Sequence, residues 1–217
     1  MDTALYAIPF LLKGAVVTIW VSAIVATCSL FLGVLLGTLV CYAPAPVRWV
    51  ITLYCDVIRG IPVPPFILMM YYGVPLLLGI PINEYVDALL ALTVFTTAQV
   101  TEIARGAIQS VHFGQIEAGK AIGLGFWPRV FYVVFPQAIR RFLPPWVNNL
   151  TDVVKGSALI SLVGIVELML QIKQVAGRIY DAPMPIYIAG AIIYFLINYG
   201  LSSASRKLEG HFAYIRE

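Results

Sequence analysis

Three stretches of this sequence carry no Asp, Glu, Lys or Arg at all: residues 14–47, 60–83 and 182–205. Each meets the roughly 20 apolar residues that a helix needs to cross a bilayer. Only 12% of the 217 residues are charged, about half the share usual in a soluble domain, and mean hydropathy is +0.89. The chain therefore reads as an integral membrane protein. Its formal net charge of +3 is too slight to argue for nucleic acid, and no DNA-reading or RNA-reading motif is visible.

Five crossings are expected, at about 9–42, 50–78, 86–109, 134–154 and 184–205. The fold class is thus all-α integral membrane, with one domain over 1–217. The first run would be about 50 Å long as one helix, so it must tilt or extend past the hydrocarbon. Segment 43–49 (APAPVRW) reads as a proline-broken turn, and 73–85, with two Pro and two Gly, as an irregular outer connection. Pro62, Pro64 and Pro65 must break or kink the second span. Segment 156–170 is about 22 Å long as a helix and is expected as a short helix packed within the protein rather than a sixth span. Gly33 and Gly37 form G-x-x-x-G, which can mark close packing or be an ordinary feature of membrane helices.

Basic residues orient the chain. With the N-terminus outside and the C-terminus cytoplasmic, the inner side receives Arg48, Lys120, Arg129, Arg140, Arg141, Arg206, Lys207 and Arg216. The outer side receives Lys13, Lys173 and Arg178. That asymmetry is the one the positive-inside rule demands. The N-terminus lacks the basic region of a signal peptide, and its apolar run is too long for one. Cys28, Cys41 and Cys55 lie in or beside apolar segments without a CxxC or a His cluster, so they read as small buried hydrophobes.

This orientation puts residues at about 110–133 in the cytoplasm. There Ile116, Ala118, Ala121, Ile122 and Phe126 are interrupted by Glu117, Lys120 and Gly123. Such a stretch can form a short helix with one face open to a partner groove. Gly123 and Gly125 permit a sharp turn or a positive φ after it, and Pro136 suits the first turn of the next helix.

The spacing of Glu117, Ala118, Gly123 and Pro136 resembles the cytoplasmic coupling loop, the EAA loop, of importer-type ABC transporter permeases. Likeness to the polar amino-acid uptake family covers nearly the whole chain. Arg59-Gly60-Ile61-Pro62 is similar to that family's R-G-T-P turn, and Glu102–Ser110 to E-I-x-R-G-G-I-x-S. Pro136-Gln137-Ala138 and Leu143-Pro144-Pro145 match P-Q-A and L-P-P, and Asn148 falls where the family has the Asn of G-N-Q.

The resemblance implies an importer-type ABC permease fold in a bacterial cytoplasmic membrane. It also implies a second permease subunit, two ATP-binding subunits and an extracytoplasmic solute-binding protein. ATP and Mg would belong to the partner ATPases, with no cofactor or metal held by this chain and no catalysis by it. Glu117, Ala118, Lys120, Gly123 and Pro136 would couple the permease to the ATPase. Consistent with a mechanical role, the sequence has no G-x-x-x-x-G-K-[ST] phosphate loop. A rival reading is an ATPase-independent secondary transporter or channel, its intramembrane acids serving as ion or proton sites.

Among the ionisable residues in or near the spans, seven are singled out: Asp56, Arg59, Glu102, Arg105, Asp152, Lys155 and Glu167. Six form acid-to-base pairs at i,i+3, where partners on one helix face can neutralise each other. They are either structural pairs or, with Asn148, Asn149 and Ser157, the lining of a substrate path. There bases would meet a carboxylate and acids an ammonium. Asp152 and Lys155 lean towards that role, being in a polar insert between two apolar segments, whereas Arg105 leans structural. The family commonly reads K-D-T-S where this chain has Lys155-Gly156-Ser157-Ala158. The missing acid argues against a strongly cationic substrate and leaves a neutral or acidic amino acid or a related zwitterion.

Overall fold

The computed structural model describes residues 2–79, 83–178 and 183–213, and every regular element among them is helical. Helix α1 (Asp2–Tyr42) is continuous, with Pro9 inside it. The expected turn at 43–49 shrinks to Ala43 and Pro44, because α2 (Ala45–Gly60) begins at once. Pro46 stands in its first turn, where the missing N–H would have had no intrahelical partner.

The second span is not one helix over 50–78. Ile61 and Pro62 are extended, with ψ 131° and 140°, and α3 (Val63–Leu78) leaves α2 at a bend of 110°. Proline disfavours the α region for the residue before it, and Pro62, Pro64 and Pro65 cannot donate to a continuing ladder. Helix α3 then runs through Gly73 and Pro75 to a left-handed Gly79 at φ +66°, so the irregular connection starts later than expected. Residues 80–82 of that connection lie outside the described residues. Asn83 caps α4 (Glu84–Gln109) by accepting from the Tyr85 N–H at 3.0 Å.

Helices α1 and α4 pack closely because glycine lets them. A Cβ on Gly33 would lie 2.6 Å from Val100 Cβ, and one on Gly37 would lie 2.7 Å from Ala104 Cβ and from the Thr101 carbonyl oxygen. A core follows in which Phe66 and Ile67 of α3 meet Ala88, Ala91 and Leu92 of α4, with Val21 and Val25 of α1. Cys55 is buried and Cys41 half-buried, but Cys28 is exposed, contrary to the expectation for all three.

The helical path of the fourth span begins earlier than 134. Helix α6 (Phe126–Arg129) passes through a wide i→i+5 turn at Val130–Val134 into α7 (Phe135–Ser157), so 126–133 is not loop. The ring of Pro136 would clash with the carbonyl four residues back, and the wide turn before it relieves that clash. Gln137 Nε2 donates to the Val133 carbonyl at 2.9 Å. Pro144 and Pro145 are held inside α7.

Segment 156–170 is not one short helix either. A 3₁₀ turn (Ala158–Val163) ends at Gly164, φ +87°, and α8 (Leu168–Ala176) starts beyond it, bent by 53° from the preceding rod. Glu167 caps α8 and ties three helices together. Its carboxylate accepts from the Met169 and Leu170 N–H groups at 2.8 and 2.9 Å, from Tyr194 of α9 (Met184–Ala213) at 2.8 Å and from Thr18 of α1 at 3.3 Å. The residue is fully buried. Of these helices, α1 from Ala7, α4, and α9 to Lys207 are long and apolar enough to cross a membrane. The count reaches five if each bent pair makes one span.

Candidate functional site

Between α4 and α6 lies a second short helix, α5 (Phe113–Ala121), built to be self-sufficient at both ends. At its start, the His112 imidazole Nδ1 accepts from the Gly114 N–H at 3.1 Å, taking up a donor that the helix leaves unmatched. At its end, the Leu124 N–H reaches the Gly119 carbonyl at 3.0 Å and the Gly123 N–H reaches that of Lys120 at 2.9 Å. This paired closure needs a left-handed residue, and Gly123 supplies it at φ +81°. The spacing from Glu117 to Gly123 is thus the spacing from the helix face to its stop.

One side of α5 is fixed and the other is free. Gly119 is buried under Arg129, whose Nη1 donates to the Leu124 carbonyl at 2.9 Å. Glu117 and Lys120 form an ion pair at 2.7 Å with both side chains about half exposed, and Ala118 and Ala121 are exposed beside them. The helix therefore presents small apolar side chains bordered by one acid and one base. Pro136 is not on this surface. It stands in the first turn of α7, and its effect is on the wide turn before it.

The base of α5 is tied to two longer helices. Ser110 closes α4, and its carbonyl accepts from Arg141 Nη1 of α7. An open cleft of about 560 Å³ lies here, lined by Cys41 and Tyr42 of α1, His112 and Ile116 of the α5 region, and Val134.

The charged residues fall into two groups. Arg59, Glu102 and Arg105 come together: Arg105 grips the Glu102 carboxylate through Nη2 at 2.6 Å and Nε at 3.1 Å, while Arg59 Nη1 approaches it at 3.8 Å. Arg105 Nη1 also donates to Gln109 at 2.7 Å. Arg59 therefore bridges to α4 rather than to Asp56, its expected partner on α2. The second group is on α7. Lys155 Nζ sits 3.3 Å from Asp152 Oδ1, and Asn148 is exposed on the same face.

Asn149 and Ser157 turn inward instead. The Asn149 amide donates to Gln99 of α4 at 2.8 Å, and the buried Ser157 hydroxyl donates to the Val154 carbonyl at 2.8 Å. No hydrogen bond or ion pair among the described residues joins the two groups.

Sequence reasoning missed His112, Gly119, Arg129 and Gln137 as organisers of this region. Only the Gln137 position, inside the Pro-Gln-Ala motif, carried a signal, and it named no partner.

A model of the family described as binding-protein-dependent transport system inner membrane component matches residues 29–212. The chain belongs to this family. Among relatives of this permease is the probable glutamine ABC transporter permease protein GlnP of Bacillus subtilis. It is 35% identical over 203 residues, which cover 92% of each chain. The glutamine transport system permease protein GlnP of Escherichia coli K12 is 32% identical over 94% of this chain and 93% of its own. The nopaline transport system permease protein NocQ of Agrobacterium fabrum is 34% identical over 87% and 84%.

The permease also superimposes on a solved structure described as an amino acid ABC transporter with histidines. The TM-score is 0.88 at 28% identity, over 95% of this chain and 96% of that one. The MetNI methionine ABC transporter, at 22% identity and a TM-score of 0.74, shares the fold.

Proposed function

We propose that this permease moves a polar amino acid or related zwitterion inward, driven by ATP that separate subunits hydrolyse. Support for the substrate class comes from the relatives, several of which are named for glutamine, arginine or cystine transport. In this reading five spans place the N-terminus outside and the C-terminus in the cytoplasm, and α5 faces the ATPase. A solute-binding protein delivers the ligand, two ATP-binding subunits act below, and a second permease subunit completes the path. Arg59 and the Asp152/Lys155 pair supply the charges that a zwitterion can meet on its way.

The observation that carries the proposal is the build of α5. A nine-residue helix capped at both ends and seated under Arg129 keeps its shape while offering Ala118, Ala121, Glu117 and Lys120 outward. Such a piece transmits force without unfolding. Closure of the ATPase pair would move it, and the spans would rock between inward-open and outward-open arrangements.

The test is Glu117→Lys in the assembled transporter. Uptake should fall by about tenfold or more while the permease stays in the membrane, and its ATPase should dissociate or hydrolyse ATP without transport. Normal uptake by that variant, with no ATPase retained, would refute the coupling role.

A further inference from the structure

Helix α5 has little of its own to hold its first turn. It is nine residues long, with Gly114 and Gly119 inside it. That is short of the roughly 12–15 residues at which an isolated helix becomes even marginal, and glycine weakens it further. No acid stands in its first turn to answer the positive end of the helix dipole. Among the described residues, the side chain that takes up a free N–H there is His112, whose Nδ1 accepts from Gly114 at 3.1 Å. Gly114 lets the ring come this near, because a Cβ on it would lie 3.0 Å from the same nitrogen.

A histidine cap differs from a Ser or Asn cap in one respect. An imidazole nitrogen accepts only while it carries no proton, and in the charged ring both nitrogens are donors. Protonating His112 therefore removes the acceptor, sets two N–H groups against each other and puts a positive charge at the positive end of the dipole. All three effects have one sign: the cap is made by the neutral ring and is lost as pH falls. Histidine is the side chain whose charge ordinarily changes between about pH 5 and 8. His112 is exposed, so protons reach it from solvent.

Neighbouring elements offer a charged ring no counter-charge. Helix α1 turns Cys41 and Tyr42 to the shared cleft, α4 ends there in Gln109 and Ser110, and the wide turn adds Val134. Arg141 of α7 donates to the Ser110 carbonyl. On α5 itself, Lys120 lies over the Phe113 ring at 5.9 Å and already holds Glu117, while Arg129 of α6 is engaged at the far end. Among the described residues no acid pairs with His112.

We infer that His112 is a proton-operated positioning residue. As the neutral imidazole it holds the first turn of α5 in shape, and on acidification it releases that turn and weakens the coupling of transport to ATP hydrolysis. This rests on the coupling reading of α5, in which the solvent at His112 is the cytoplasm.

The test follows the Gly114 amide by hydrogen exchange in the permease alone, as protection relative to the unstructured-peptide rate at each pH. Between about pH 7.5 and 5.5 the wild type should lose about fivefold in protection, the worth of one cap. His112→Asn and His112→Ser keep an acceptor that does not titrate, so both should hold their protection across this range. His112→Ala should be low and level throughout. A second reading comes from the assembled transporter in liposomes, as solute moved per ATP hydrolysed with pH varied on the ATPase side. On acidification the wild-type ratio should fall about twofold to fivefold relative to His112→Asn, the upper figure being full loss of the cap. Comparing the two removes the pH response of the ATPase itself.

Wild-type protection that stays level, or a His112→Asn profile as steep as the wild type, would overturn the inference. So would equal ratios in wild type and His112→Asn at the acid end. Protection is read without an ATPase, so a level profile leaves the outcome of Glu117→Lys untouched, and the two failures are distinguishable.

Discussion

Arg129 lies over Gly119: a Cβ added to that glycine would come 3.3 Å from both Cγ and Cδ of the arginine. The same guanidinium holds the Leu124 carbonyl, so one side chain covers the helix and fastens the chain that leaves it. Shape at α5 thus depends on loop residues other than the four that define the motif.

Gly123→Ala should loosen this closure. An L-residue in the left-handed region costs about 1–2 kcal/mol, and nothing within 4 Å obstructs the new methyl, so the backbone alone is tested. Hydrogen exchange at the Gly123-position and Leu124 amides should quicken by about tenfold. Unchanged protection would show that the closure does not need glycine.

Gly37→Ala should destabilise the protein by about 1–3 kcal/mol, because its Cβ meets both Ala104 and backbone of α4. Gly106→Ala, on α4 with nothing within 4 Å, is the matched control and should be neutral or slightly stabilising. Thermal unfolding in detergent compares them. Equal midpoints would mean that the α1–α4 contact is looser than its geometry implies.

At Glu167, removing the carboxylate strands the donors of Thr18, Tyr194 and two α8 amides. Glu167→Ala should cost about 3 kcal/mol or more, and Glu167→Gln distinctly less because its carbonyl still accepts. A loss in Glu167→Gln equal to that in Glu167→Ala would assign the effect to charge rather than to hydrogen bonding.

Glu102 sits between two guanidiniums, so Glu102→Ala leaves Arg59 and Arg105 facing each other without a counter-ion. It should harm folded yield more than Arg59→Ala, and adding Arg59→Ala should recover part of the loss. The Arg59–Glu102 contact is long and Arg59 half exposed, so the coupling measured by the double variant should be about 1 kcal/mol or less. Additive losses would dissolve the link between α2 and α4.

Much of this architecture could be read from residue order, and the misses share a cause. Gly123 was legible because a left-handed stop after a short helix has a local signature. The start of α4, expected at about 86 from its apolar run, falls at Glu84, two residues earlier. The break at Pro62 was legible too, but its 110° angle was not, since prolines state that a helix stops and not where the next one points.

That angle decides the partner of Arg59. Same-helix spacing suggested Asp56, whereas the way α2 lies against α4 delivers Glu102. The inward turn of Asn149 and Ser157 was not legible for a related reason. Polarity marks them as needing hydrogen bonds but does not say from where: Gln99 accepts from the Asn149 amide and the Val154 carbonyl from Ser157, while Asn149 Oδ1 is buried without a hydrogen-bond partner among the described residues.

The bond from Arg141 to the Ser110 carbonyl joins the end of α4 to α7 just where α5 departs. A push on α5 would therefore be felt by both flanking helices. The two form a yoke, in which displacing one strains its tie to the other.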